Sequence, residues 1–309
     1  HLRNRISDPK NTILITGCST GIGLCTARGL RERGHRVFAT ARRPADVARL
    51  ASEGFESLRL DYDDSDSIQA CVAEVLDRTG GDLFALFNNG GYGQPGAVED
   101  LRREVLRAQF ETNLFGWHEL TRAVIPVMRA AGRGRIIQNS SVLGFAAMAF
   151  RGGYNASKFA LEGLSDTLRL ELRGSGIEVI LIEPGPVQSR FRANSYRKYR
   201  ETIDRDRSVF ATTYAAMEVR LTQEGPTTPF TLPPEAVLKK VVHALESRRP
   251  RPRYYVTLPT HAFGLLKRVL GTRSMDALLA WRGAAGDRNP SKTPRRRPSP
   301  VAPPPAGLG

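Results

Sequence analysis

The 309-residue sequence predicts an α/β fold: one domain built on a doubly wound parallel sheet of about seven strands, with helices on both faces. Two patterns carry that expectation. Short apolar runs alternate along the chain with longer segments of helical period, and such runs suit strands buried on both faces. The first run passes directly through a glycine-rich turn into a helix, as the opening of a strand-helix-strand unit does.

Taken in order, residues 11–16 (NTILIT) form the first expected strand, and the helix after the glycine turn ends near Arg33-Gly34. Further strands are expected at 36–40, 57–60, 83–87, 135–139, 178–182 and 254–257. Between them lie helical patterns at 44–52, 65–79, 101–128 with a break near Asn113, and 154–173. These elements define a domain over residues 11–258, preceded by an arm at 1–10. The stretch 186–234 is long and polar, with Tyr196, Tyr199, Phe210, Tyr214 and Phe230 scattered through it, and reads as a mobile lid over a binding site. Residues 259–282 form an amphipathic extension in which Phe263, Leu266, Leu270 and Leu278 recur between Lys267, Arg268 and Arg273. Such a helix packs on its own domain or a partner subunit, or makes weak peripheral contact with a membrane. Residues 283–309 are rich in Pro and Arg without apolar period and are expected to be disordered.

Composition is that of a globular chain, with 40% hydrophobic and 25% charged residues. No apolar run approaches the roughly 18 residues of a membrane span, and no signal-peptide core follows His1. The three cysteines, Cys18, Cys25 and Cys71, lack metal-ligand spacing and suit buried thiols in a reducing compartment, so a cytoplasmic location and no metal are expected. The net charge of +15 is spread along the chain, with five basic residues against Asp287 beyond residue 283. Without interleaved aromatics or a reading motif, it does not point to a specific nucleic acid.

The turn after the first strand reads Thr16-Gly17-Cys18-Ser19-Thr20-Gly21-Ile22-Gly23. Gly17 permits the sharp turn, Gly21 lets backbone approach a pyrophosphate, and Gly23 allows close helix packing. The helix start then offers free N–H groups and a positive dipole end to phosphate. After the second strand the sequence Ala39-Thr40-Ala41-Arg42-Arg43 holds no carboxylate until Asp46. An acid there would hold a ribose 2′-hydroxyl, whereas Arg42 suits a 2′-phosphate, so the expected cofactor is NADP(H).

Tyr154 and Lys158 lie one helical turn apart. A phenol near its ordinary pKa of about 10 is a reluctant acid at neutral pH, and a lysine ammonium on the same face favours the phenolate. The pair is therefore a candidate proton donor, although the same spacing occurs on solvated helix faces.

Together these motifs resemble the short-chain dehydrogenase/reductase family, and the resemblance runs from Asn11 to about Thr257. The loop 16–23 resembles its TGxxxGxG pattern. Asn88-Asn89-Gly90-Gly91 resembles its Asn-Asn-Ala-Gly motif, with Gly90 in the alanine's place, which loosens the turn. Asn113, Ser141, Tyr154 and Lys158 match its catalytic tetrad, and the separation of 13 positions between serine and tyrosine selects Ser141 over Ser140. Residues 154–163 (YNASKFALEG) are especially similar to NADP-dependent aldehyde reductases and to retinol and 17β-hydroxysteroid dehydrogenases.

The resemblance implies a Rossmann-type fold and a role for each residue. Ser141 orients a substrate carbonyl, and Tyr154 delivers a proton as hydride arrives. Lys158 holds the nicotinamide ribose and lowers the tyrosine pKa, and Asn113 holds a relay water. Asp61 contacts adenine. Pro184-Gly185-Pro186-Val187-Gln188-Ser189 follows the sixth strand, with Ser189 reaching the carboxamide. The cofactor set is completed by Ser19, Thr20, Ile22, Asn89, Pro184, Gly185 and Val187. The segment 142–151, with Leu143, Phe145, Met148 and Phe150, is expected beside the reacting carbon. Its character favours an apolar aldehyde or ketone, with Phe145 a substrate contact. Retinol or hydroxysteroid dehydrogenase activity is the alternative, as is a catalytically silent NADP sensor. A homodimer or homotetramer is implied as well.

Overall fold

The computed structural model describes residues 11–225 and 230–286. Seven strands form one wholly parallel sheet: β1 (Thr12–Ile15), β2 (Arg36–Ala41), β3 (Glu56–Arg59), β4 (Ala85–Asn88), β5 (Gly134–Asn139), β6 (Ile177–Glu183) and β7 (Arg253–Tyr255), in the order β3-β2-β1-β4-β5-β6-β7. Every neighbouring pair is parallel, and β1 lies between β2 and β4, with Leu14 opposite Phe38 on one side and Leu86 on the other. The chain thus reverses its winding direction beside β1. In such sheets the crevice at the carboxyl ends of the two flanking strands is where ligands bind.

Pleating sorts the apolar side chains between two layers, because successive residues of a strand face opposite sides. Ile13 and Ile15 of β1, with Val37, Ala39, Phe87, Ile137 and Ile180, meet Ala27 and Leu30 of α1 (Gly21–Glu32) and Leu50 of α2 (Pro44–Ser52). Leu14, Phe38, Leu86, Ile136 and Val179 face the other way. They meet Ile68, Val72 and Val75 of α3 (Ser65–Thr79) and a later helix pair. The chain between β4 and β5 forms α4 (Arg103–Phe110), a π-helical turn (Glu111–Phe115) and α5 (Gly116–Ala130), whose Trp117, Leu120, Val124 and Met128 complete this second layer with Leu161 of α6 (Gly152–Glu171). Each fully buried leucine in these layers contributes about 1.5–3 kcal/mol.

The expected strands and the helices at 44–52 and 65–79 are present, and the anticipated break near Asn113 is the π turn. Three features differ. The stretch 186–234 carries two helices, α7 (Phe191–Thr202) and α8 (Ala211–Thr222), rather than an open loop. Tyr199 and Tyr214 are wholly buried in a small third core with Ala97, Phe150 and Phe210, and the Tyr214 hydroxyl donates to Asp100 at 2.5 Å. Next, α9 (Glu235–Glu246) was not anticipated. Val237, Val241, Ala244 and Leu245 seat it on the first layer beside α1.

Finally, the amphipathic extension is two helices, α10 (Leu258–Val269) and α11 (Thr272–Gly286), separated at Leu270-Gly271. Gly264 brings α10 against the Tyr255 ring, where an added Cβ would approach within 2.6 Å. Leu258, Leu265 and Val269 on α10 are exposed. The Lys267 ammonium lies 5.0 Å from the centre of the Phe159 ring, so α10 also reaches α6. Residues 283–286, expected in a disordered tail, continue α11, while the 1–10 arm and the rest of that tail from 287 onward lie outside the described residues.

A partly buried polar knot joins α6 to the far end of the sheet. Arg253 of β7 pairs with Glu183 at 2.6 Å, with Asp166 at 2.6 Å and with Glu162. Glu183 is fully buried, and burial, followed by the nearby Glu162 carboxylate, pushes its pKa up to about 8. Cys18 and Cys71 are buried and Cys25 is half-buried. Burial raises all three thiols, Cys18 to about 12. No helix among the described residues is long and apolar enough to cross a membrane.

Candidate active site

One cleft of about 1510 Å³ runs along the carboxyl ends of the strands, from the loop after β1 to α11. Its nucleotide end is built by close backbone approach. Gly17 has φ +67°, and a Cβ there would come within 2.6 Å of Gly90 Cα, so only glycine lets the loops after β1 and β4 touch. A Cβ on Gly21, at φ +59°, would meet Ser189 at 3.0 Å. Thr20 precedes α1 with extended backbone and caps none of its amides, and the first turn carries no acid. The donor end of α1 is therefore free for an anion, which fits the phosphates of a dinucleotide.

The loop after β4 is held from below. Thr16 Oγ1 accepts from the Asn89 amide (2.8 Å) and the Gly90 amide (3.1 Å), while Asn89 Nδ2 donates to the Thr16 carbonyl. Trp117 Nε1 donates to the Gly90 carbonyl at 2.7 Å. Gly90 is consequently not the loose point its sequence suggests. A Cβ there would press on the Tyr62 ring at 3.1 Å, and Tyr62 is itself fixed by its hydroxyl, 2.7 Å from Thr16 Oγ1 and donating to Asn88 at 2.7 Å.

Beyond this cradle stand the four residues of the candidate tetrad, all buried. Ser141 ends the backbone run from β5, and its Oγ accepts from the Leu143 amide at 3.1 Å. Burial pushes the Tyr154 pKa up to about 12, opposed by the neighbouring Ser141 hydroxyl and by the charge of Arg151. Phe191, at the start of α7, packs edge-on against the Tyr154 ring with centroids 5.4 Å apart.

Lys158 Nζ donates to the Asn139 carbonyl at 2.8 Å and lies 4.3 Å from the Trp117 ring centre. Burial draws its pKa down to about 7, with Glu162 pulling the other way. Asn113, in the π turn, exchanges hydrogen bonds with Tyr92: Nδ2 donates to its carbonyl at 2.8 Å and Oδ1 accepts its amide at 3.2 Å. Single π turns occur frequently at functional sites.

The cleft brings together Gly17, Ser19, Thr20, Gly21, Ile22, Arg42, Asp61, Asn89 and Gly90 at one end. Asn113, Ser141, Tyr154, Lys158, Pro184, Gly185, Val187 and Ser189 line it further along. Arg42 is exposed and makes no ion pair among the described residues, whereas Arg43 is engaged by Asp46 at 2.8 Å. Asp61 is held at a turn, accepting the Asp63 amide and lying 3.6 Å from Arg59.

Two expectations need correction. Gly23 does not line the cleft. It removes a side chain that would come within 2.2 Å of the Gly17 carbonyl, and so serves the loop's packing. Phe145 does not reach the substrate space either. Its ring turns to Tyr255, with centroids 5.6 Å apart, while Leu143, Met148 and Phe150 remain in the lining. Lys158 donates to a backbone carbonyl with its Nζ 5.8 Å from the centre of the Tyr154 ring, and the groups that oppose burial of the phenol are Ser141 and Arg151.

Sequence reasoning also missed Arg151, Arg220 and the α11 residues Asp276, Leu279 and Ala280, which all line the cleft. Arg151 stands three residues before Tyr154 and was within reach of the helix spacing. The others are brought in only by tertiary packing.

The family model for short chain dehydrogenases matches residues 11–200. Over 270 residues the chain is 42% identical to an uncharacterized oxidoreductase, YbbO, of Escherichia coli, covering 87% of this chain and 94% of that protein. Retinol dehydrogenase 16 of Mus musculus is 32% identical over 281 residues, with 87% of each chain covered. Among solved structures, a short-chain dehydrogenase from Streptomyces avermitilis superposes with a TM-score of 0.69 at 28% identity, covering 90% of this chain and 98% of that one. With the same strand order, glycine cradle and serine-tyrosine-lysine cleft already in view, these likenesses make the chain an oxidoreductase of the short-chain dehydrogenase/reductase family.

Proposed function

We propose that this protein is an NADP(H)-dependent reductase of apolar aldehydes and ketones, with Tyr154 as proton donor and Asn113, Ser141 and Lys158 as its supporting residues. The observation that carries this reading is the presence of the Tyr154 phenol and Ser141 in one cleft with a dinucleotide cradle and with Leu143, Met148 and Phe150. Gly17, Thr20, Gly21, Ile22 and Asn89 would hold the pyrophosphate region. Asp61 would lie near adenine, Ser189 near the carboxamide, and Arg42 at the 2′-phosphate. The cofactor supplies hydride when bound.

The chain's own residues do the rest. Ser141 positions the carbonyl oxygen and polarises it by a hydrogen bond that strengthens as negative charge develops there. Tyr154, with its pKa near 12, keeps its proton through the physiological range and releases it only to an oxygen becoming an alkoxide. Lys158, in protonated form, compensates the phenolate left behind. Phe191 covers one face of the Tyr154 ring and keeps water from that side of the step. Oxidation of a ring-bearing alcohol in the same site is the second reading. It is favoured by a cleft large enough for a retinoid or steroid and by the likeness to a protein named retinol dehydrogenase.

The test is NADPH oxidation with medium- and long-chain aldehydes, retinal and ketosteroids. Turnover of at least one apolar class is expected, and NADPH binding without any turnover would reject the reductase. In the same assay, Arg42→Asp should lower the preference for NADPH over NADH by about 10- to 100-fold, the size of one charge-assisted phosphate contact. Unchanged selectivity would move the phosphate contact elsewhere.

A further inference from the structure

We propose that the substrate end of the cleft contains an anion subsite centred on Arg151, so that the preferred carbonyl compound carries a carboxylate or phosphate as well as an apolar body. The inference rests on the carbonyl-reductase reading and narrows its substrate class.

Three observations converge on it. Arg151 lines the cleft beside Tyr154, and its Nη1 is buried without a hydrogen-bond partner. A buried guanidinium nitrogen left unpaired is costly, and the planar fork matches carboxylate and phosphate oxygens. Next, the charge balance of the cleft is one-sided. Arg42, Arg151, Lys158, Arg190, Arg192, Arg197, Lys198 and Arg220 line it, against the carboxylates of Asp61 and Asp276. Two of these cations are already shared with Glu201, at 3.8 Å from Arg197 and 3.3 Å from Lys198, and Arg192 donates to the Gln223 and Gly225 carbonyls. Arg151 has no such engagement.

Third, the fold holds Arg151 in place. It precedes α6, and its backbone pairs with Gly96 in an isolated parallel bridge. The Phe150 backbone before it takes φ +60°, a left-handed conformation rare for a bulky residue, and the Phe150 carbonyl accepts the Gly96 amide at 3.0 Å. Such strain is kept where surrounding structure enforces it, here the contacts of the Phe150 ring with Phe210 and Tyr214. Burial, with the neighbouring charge of Arg220, draws the Arg151 pKa down to about 10, which still leaves it charged at neutral pH. A bound anion would relieve both the burial and the repulsion.

The test uses the full chain loaded with NADP⁺ and three unreactive probes: decanoate, decyl phosphate and the neutral decanamide. Calorimetric titration should give at least one anion an affinity about tenfold or more above the amide, the size of a charge-assisted hydrogen bond in a partly dry site. The stronger of the two anions identifies carboxylate or phosphate as the favoured group. Arg151→Met should reduce the anion-to-amide ratio to about two or less, and Arg151→Lys should restore part of it, as a point charge without the fork does. Equal binding of the amide and both anions by the unaltered protein would overturn the subsite, and so would an undiminished ratio in a folded Arg151→Met protein. Neither readout requires turnover, so absence of NADPH oxidation would reject the reductase reading independently of this one.

Discussion

Tyr154→Phe is expected to lower kcat for carbonyl reduction by about 10²–10⁴-fold while leaving NADPH affinity within about twofold, the range spanned by loss of a general acid. The phenylalanine preserves the ring packed on Phe191 and the helix around it, so the fold is retained and only the dissociable proton is lost. Stopped-flow measurement of the first turnover separates this from slower product release. Full activity in the variant would eliminate Tyr154 as donor.

The neighbouring lysine sets the pH dependence. With a pKa of about 7 in the free protein, Lys158 loses its charge as pH rises through neutrality, and with it the compensation for a phenolate. Since kcat/KM reports groups of the free enzyme, kcat/KM for reduction should fall above pH 7 with a slope approaching one decade per unit. Lys158→Arg carries a cation that does not titrate in this range and should move the fall to higher pH, whatever its effect on the maximum. A flat profile up to pH 9 in the unaltered protein would remove Lys158 from the role given to it.

The second large effect concerns the cradle. Gly17→Ala is expected to destabilise the protein by about 2–5 kcal/mol, combining about 1–2 for a left-handed alanine with about 1–3 for overpacking. The new methyl would meet Gly90 backbone at 2.6 and 2.9 Å, and backbone held by Thr16 and Trp117 cannot step aside. Gly34→Ala is the matched comparison. Its φ of +86° is equally left-handed, but nothing lies within 4 Å, so only the conformational cost of about 1–2 kcal/mol applies. Urea unfolding of both variants measures the difference. Equal losses would mean that contact between the two loops contributes nothing.

The contrast between those glycines shows what a sequence can and cannot convey. Strand positions and the helices at 44–52 and 65–79 were legible because apolar period is local. Helix α9 carries the same local period, with Val237, Val241, Ala244 and Leu245 at helical spacing, directly after a long polar stretch that masks its start. The residues gathered in the cleft were legible through their motif spacing. The direction of a side chain was not. Phe145 and Phe150 both sit on one short apolar segment, and only contact with Tyr255 on one side and with Tyr214 on the other sends them apart. The Lys158 pKa was beyond reach for a similar reason, since desolvation depends on Trp117 and on the whole wall above it. The unpaired Nη1 of Arg151 shares the cleft with α7, α8 and α11, elements remote in sequence.

The two helices after β7 bear on the cleft in one further way. Tyr255 has the Phe145 ring 5.6 Å away and the His261 ring of α10 5.3 Å away, while α11 supplies Leu279 and Ala280 to the cleft wall. An occupant that touches Leu279 and Ala280 favours the docked position of α11 by the same free energy with which that docking favours the occupant.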